Sequence, residues 1–157
     1  MNRHIPEHYI RHRKHRVILL SVFVLFMLSI DHSYAEDKVV LIAAKGSGIE
    51  SISNRDIRRV FLGLKSADSE LVNSPVINLY NKEIYEEFLK NVMHMTEGAY
   101  KRKLVKRIFR NGTKEIKEVK MLNELNEHLT SNVGDISFVE NTVADKMTDI
   151  EVIKVLW

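Results

Sequence analysis

Val39-Val40-Leu41-Ile42-Ala43-Ala44 is a run of six apolar residues, β-branched at its start, and it limits the fold more than any other stretch. A half-buried strand alternates apolar with polar residues, whereas a short unbroken run needs cover on both faces. The run therefore predicts a central strand, and the rest of the chain must supply helices for both sides of it. Lys45-Gly46-Ser47-Gly48 ends the run in a flexible turn.

Those helices can be read in order. Ser53 is placed to cap the first, with Asp56 three residues on and Ile52 and Ile57 as a hydrophobic staple. Ile57, Val60, Phe61 and Leu64 then recur at helical spacing, and Gly63 marks the end. Residues 65–74 read as a loop. Pro75 opens a second strand, Val76 to Tyr80. Asn81 caps a helix carrying Ile84, Tyr85, Phe88, Leu89 and Val92. Thr96 caps another carrying Tyr100, Leu104 and Ile108, and Asn111-Gly112 is a turn. Lys117 to Leu129 reads as a further helix with Leu122, Leu125 and Leu129 inward. Asp135 to Val139 and Ile150 to Leu156 read as strands. Strands separated by helices predict an α/β fold with a small, mainly parallel sheet of about four strands flanked by helices.

Ahead of this pattern lies a segment of different character. Arg3, Arg11, Arg13, Lys14 and Arg16 precede Val17 to Ile30, fourteen residues without a charge, and Ser33-Tyr34-Ala35 follows. A basic region, a short apolar core and a small-x-Ala site make a secretory signal peptide. The apolar core would rise only about 21 Å as a helix, short of a ~30 Å hydrocarbon layer. Residues 1–35 are thus expected to be removed and residues 36–157 to form one domain, exported to a periplasm-like compartment. An uncleaved leader would be the only membrane attachment.

Removing 35 of the 157 residues leaves 122, enough for one core. The leader holds five of the 24 Lys and Arg and two of the 21 Asp and Glu. The remainder has 19 of each sign and no formal net charge, so the basic pI carries no nucleic-acid footprint. The absence of cysteine excludes disulfides and thiol chemistry.

Little in the remainder reads as catalytic. His94 and His128 lack the neighbours of a zinc motif, so neither a metal nor another cofactor is expected. Glu124 and Glu127 form no acid–base pair, and Ser47 and Ser137 have no identifiable His–acid partners. Two surfaces remain for binding. Gly46-Ser47-Gly48 follows a strand and could offer N–H groups to an anion, although a plain turn accounts for it as well. Lys101, Arg102, Lys103, Lys106, Arg107 and Arg110 place six cations within ten positions of one helix. Such a run is either a solvated face or a surface for an acidic partner.

Several of these segments together resemble periplasmic solute-binding proteins of the phosphate type, with the type II periplasmic-binding-protein fold. Ile52-Ser53-Asn54-Arg55-Asp56-Ile57-Arg58-Arg59-Val60-Phe61-Leu62-Gly63-Leu64-Lys65 is similar to that family's helix ending in IFxGK. Arg107 to Gly112 is similar to its xxFxGxG turn, Val133 to Val139 to PGAIGYV, and Ile150 to Leu156 to its returning VKVL strand. The resemblance implies one lobe of a two-lobed fold and a non-enzymatic, transport-type binding domain. It implies a small anion such as phosphate held at Gly46, Ser47, Gly48, Asn81 and Lys82. The family's Ser-Gly-Thr-type turn is replaced here by Tyr80-Asn81-Lys82-Glu83-Ile84, and the charge of Glu83 opposes an anion. Weak phosphate binding is the expectation. The alternative is an envelope interaction module that meets its partner through Lys103, Arg107 and Arg110.

Overall fold

The computed structural model describes residues 38–65, 70–112 and 114–157, so the expected leader lies outside the described residues. Val39–Ala44 is β1, and every one of its six residues is buried. It pairs with β4 (Ile136–Glu140) on one side and with β5 (Ile150–Val155) on the other, both antiparallel. Its odd residues Val39, Leu41 and Ala43 face one apolar cluster, and its even residues Val40 and Ile42 face another. The unbroken apolar run is thereby explained.

Three helices cover the first face: α1 (Asn54–Val60), α2 (Lys82–Asn91) and α3 (Glu97–Asn111). Phe61, just past α1, joins Phe88 of α2 and Phe138 of β4 in a buried aromatic trio. Phe88 and Phe138 stack with centroids 4.0 Å apart, and Phe61 lies tilted against Phe88 at 4.7 Å. Such contacts add about 0.5–1.5 kcal/mol each beyond simple burial. Tyr100 ties α3 to this cluster by donating its hydroxyl to the Phe61 carbonyl at 2.6 Å. The second face is covered by α4 (Leu122–Ser131) and α5 (Asn141–Ala144), through Leu125, Leu129 and Ala144.

Local chemistry sets the helix ends. Ser53 Oγ accepts from the Asp56 N–H at 3.1 Å and donates to the Asp56 carboxylate at 2.7 Å, closing a short capping box. Thr96 caps α3, and Gly112 ends it with φ +60°, in the left-handed region that glycine adopts freely.

β2 (Val76–Asn78) and β3 (Lys117–Val119) form a separate two-stranded parallel sheet. It abuts β4 through one parallel bridge, Pro75 to Ile136. Side chains reinforce the seam: Ser137 donates to the Val76 carbonyl at 2.9 Å, and Asn78 donates to the Phe138 carbonyl at 3.0 Å.

The expected mainly parallel sheet of about four strands, resembling a binding-protein lobe, is overturned. The main sheet is antiparallel in the order β4-β1-β5, and the only parallel ladder among the described residues is the short β2–β3 pair. An unbroken apolar run reports cover on both faces, which helices give to an antiparallel strand as readily as to a parallel one. It carries no information on direction. A second correction concerns Lys117 to Leu129, expected as one helix. Its first three residues are β3, and the helix begins at Leu122.

Candidate functional site

The direction of β1 decides where the expected anion site falls. In a parallel sheet the loops after β1 and β2 would leave from the same edge and meet. Here β1 runs against β4, while β2 runs with β4. Gly46-Ser47-Gly48 leaves β1 beside the start of β5, and Asn81 lies beside Glu140, which stands opposite Val39 at the other end of β1. Val39 and Ala44 are five residues apart, about 17 Å along an extended strand. The two groups are not brought together.

Each group is also already occupied. Gly46 and Gly48 take φ +79° and +71°, and Ser47 turns inward to donate to Glu151 at 2.8 Å while accepting from the Ile49 N–H at 3.2 Å. Asn81 Oδ1 accepts from the Glu83 and Ile84 N–H groups at the start of α2, and its Nδ2 donates to Glu140 at 2.7 Å. Lys82 is exposed and lies 3.4 Å from Glu86. An anion there would meet the carboxylates of Glu140 and Glu83, and would compete with Asn81 for the amides that usually hold it.

A pair that the sequence did not suggest forms at the other helix-to-strand junction. His128, in the last turn of α4, lies 2.9 Å from Asp135, just before β4. Asp135 also accepts from the Ser74 N–H at 3.1 Å. Gly134 makes this turn possible: at φ +96° a Cβ would stand 2.6 Å from the Leu71 carbonyl oxygen. The pair borders a cavity of about 280 Å³ lined also by Val60, Leu64 and Pro75. Among the described residues, the ring of His128 meets Asp135 on one nitrogen and Asn132 on the other, and the pair reads as a brace between α4 and β4. The seven-residue spacing across a glycine turn was the only trace of it in the sequence.

The basic helix α3 differs from both. Among its inward residues Tyr100 is buried, while Leu104 and Ile108 are only half-buried. Phe109 is 85% exposed and Val105 50% exposed. Lys101 pairs with Glu97 at 2.6 Å, and that contact holds the Glu97 carboxyl below its usual range. Among the described residues, Arg102, Lys103, Lys106, Arg107 and Arg110 make no ion pair or side-chain hydrogen bond. Two glutamates of neighbouring elements pair with other lysines: Glu86 with Lys82, and Glu124 with Lys117 at 3.9 Å. Positions 101, 105 and 109 fall at i, i+4 and i+8, so Lys101, Val105 and Phe109 form one stripe along the helix.

Lys101 and Val105 of that stripe border an apolar groove of about 220 Å³ between α3 and the segments around Gly63 and β3. Leu62, Leu104, Ile108 and Ile116 line it, with Lys114, Glu115 and Glu118 on the β3 side. Among the described residues no three His, Asp or Glu side chains gather as a metal site.

A scan against protein-family models finds no match to this chain, and a search of the curated proteins finds none.

Proposed function

We propose that this protein is a non-enzymatic docking module, exported to the periplasm after removal of residues 1–35, and that the outward face of α3 is its working surface. One observation carries the reading: five cations without an ion pair among the described residues lie on α3 together with an almost fully exposed phenylalanine. Lysine and arginine alone are ordinary on a solvated helix. A large aromatic left in water beside them contributes nothing to the fold, and arginine and aromatic residues together are what protein interfaces concentrate. The sign of the charge selects an acidic partner and steers its approach.

The phosphate reading has less behind it. The residues that the family resemblance assigned to the anion stand at opposite ends of β1, and each polar side chain among them faces a carboxylate.

The test is a photo-crosslinking side chain at position 109 in cells. A discrete protein adduct is expected, and Lys103→Glu, Arg107→Glu and Arg110→Glu together should remove it. No adduct, or one indifferent to the charge reversal, would refute the docking surface.

A further inference from the structure

We propose that the groove beside α3 receives one large apolar side chain from an acidic segment of the partner. This rests on the docking reading above and names what docks.

The argument starts from size. A groove of about 220 Å³ falls below the ~300–1,000 Å³ of small-molecule sites, so it suits one side chain better than a free ligand. Its floor is apolar, from Leu62, Leu104, Ile108 and Ile116, and Gly63, with φ +73°, lines it without a side chain. The rim carries both signs of charge, Lys101 and Lys114 together with Glu115 and Glu118. A charged group of either sign entering there would meet like charge at the rim and would lose its hydration over the apolar floor. An apolar tip meets neither difficulty.

Charge complementarity then fixes what flanks that tip. Arg102 and Lys106 follow Lys101 and Val105 by one position, so they border the stripe on its solvent side. Both are exposed and, among the described residues, without an acidic partner. A segment laid along the stripe therefore places its apolar residue inward and its carboxylates over Arg102 and Lys106. This is the anchor-in-groove form of peptide recognition, with apolar contact giving affinity and the charges giving orientation. An anionic membrane would also attract these cations and admit Phe109. A flat surface does not reach the floor formed by Leu62 and Ile116, however, and the concavity favours a protein segment.

The experiment uses fluorescence anisotropy with the purified protein and two labelled synthetic peptides. One is a run of Glu and Asp around a single central Phe; the other has Gly at that centre. The Phe peptide should bind about ten- to a hundredfold more tightly, the range expected for burying such a ring. Val105→Gln, at an exposed helical position that leaves folding intact, should weaken the Phe peptide and leave the Gly peptide unchanged. Equal affinity for the two peptides would overturn the groove assignment. Binding to phosphatidylglycerol vesicles, lost in Phe109→Ser and without preference for the Phe peptide, would overturn it in favour of a lipid surface. The docking reading fails separately: reversing the charges of Lys103, Arg107 and Arg110 would then leave binding of both peptides unaltered.

Discussion

Two runs of this chain are equally conspicuous on paper and opposite in the fold. Val39 to Ala44 loses all its surface, pairing on both edges and packing on both faces. Lys101 to Arg110 keeps most of its surface and is held on one side, by Tyr100 and the half-buried Leu104 and Ile108. The first run makes the structure, and its residues are interchangeable in kind so long as they are apolar and fill the space. The second adds little to stability, so its particular residues, cationic with a phenylalanine among them, need another reason. On the docking reading proposed above, a helix anchored at one end and exposed along much of its length is kept from the core for contact with a partner.

The comparison can be broken most strongly at Phe61. It is fully buried against Phe88 and Phe138 and accepts the Tyr100 hydrogen bond at its carbonyl. Phe61→Ala should cost about 3–5 kcal/mol in urea or thermal unfolding, enough to threaten a domain of this size. A small loss would mean that the aromatic trio does not hold the α1–α2 face to the sheet.

Gly134→Ala comes next. The left-handed backbone alone should cost about 1–3 kcal/mol, before the clash with the Leu71 carbonyl. A melting temperature equal to that of the unmodified protein would show that the turn behind His128 and Asp135 relaxes freely.

Tyr100→Phe should cost about 1–2 kcal/mol by leaving the buried Phe61 carbonyl without its donor. It also sharpens the comparison through pH. Burial first, then Tyr85 and Glu118, push the Tyr100 phenol up; burial, Glu97 and Glu118 push Tyr85 up to about 12. An unfolded tyrosine ionises near ~10. Both phenols therefore favour the fold fully below pH ~10, and that contribution falls as pH rises toward ~12 and beyond. Urea midpoints across this range should drop in the unmodified protein and drop less in Tyr100→Phe. Parallel curves would remove Tyr100 as the cause.

The smallest effect belongs to the other run. Phe109→Ala should change stability by no more than about 0.5 kcal/mol, as for an ordinary surface site. A loss comparable with that of Phe61→Ala would show that the ring is part of the core after all.

Much of the local structure was legible, because caps and stripes are written in short range. Ser53, Asn81 and Thr96 cap the helices assigned to them. Ile57, Val60 and Phe61 are buried as their spacing required. What failed was relational. Lys117-Glu118-Val119 has two exposed residues of three and no alternation; it is a strand only because β2 lies alongside it. The direction of β1 depends on partners far along the chain, from Ile136 to Val155, and that one ambiguity carried the anion site with it. A parallel sheet would have brought Ser47 and Asn81 to one edge, whereas the antiparallel sheet separates them. The cationic run of α3 was plain in the sequence. Which of its cations find an acid was not, since Lys101 pairs with Glu97 while the others have no ion pair among the described residues.

The division of labour between these two runs is tested most directly by one thermal-shift comparison. The protein and its Val105→Gln/Phe109→Gln variant are each melted alone and with the acidic Phe peptide at about a hundred times its dissociation constant. The account predicts equal melting temperatures without peptide. With peptide, the unmodified protein alone should rise, by the several degrees that about 2.7 kcal/mol of linked binding gives a domain of this size. A variant that melts markedly lower without peptide, or that rises with it as far as the unmodified protein, would contradict the claim that this face of α3 is kept for binding.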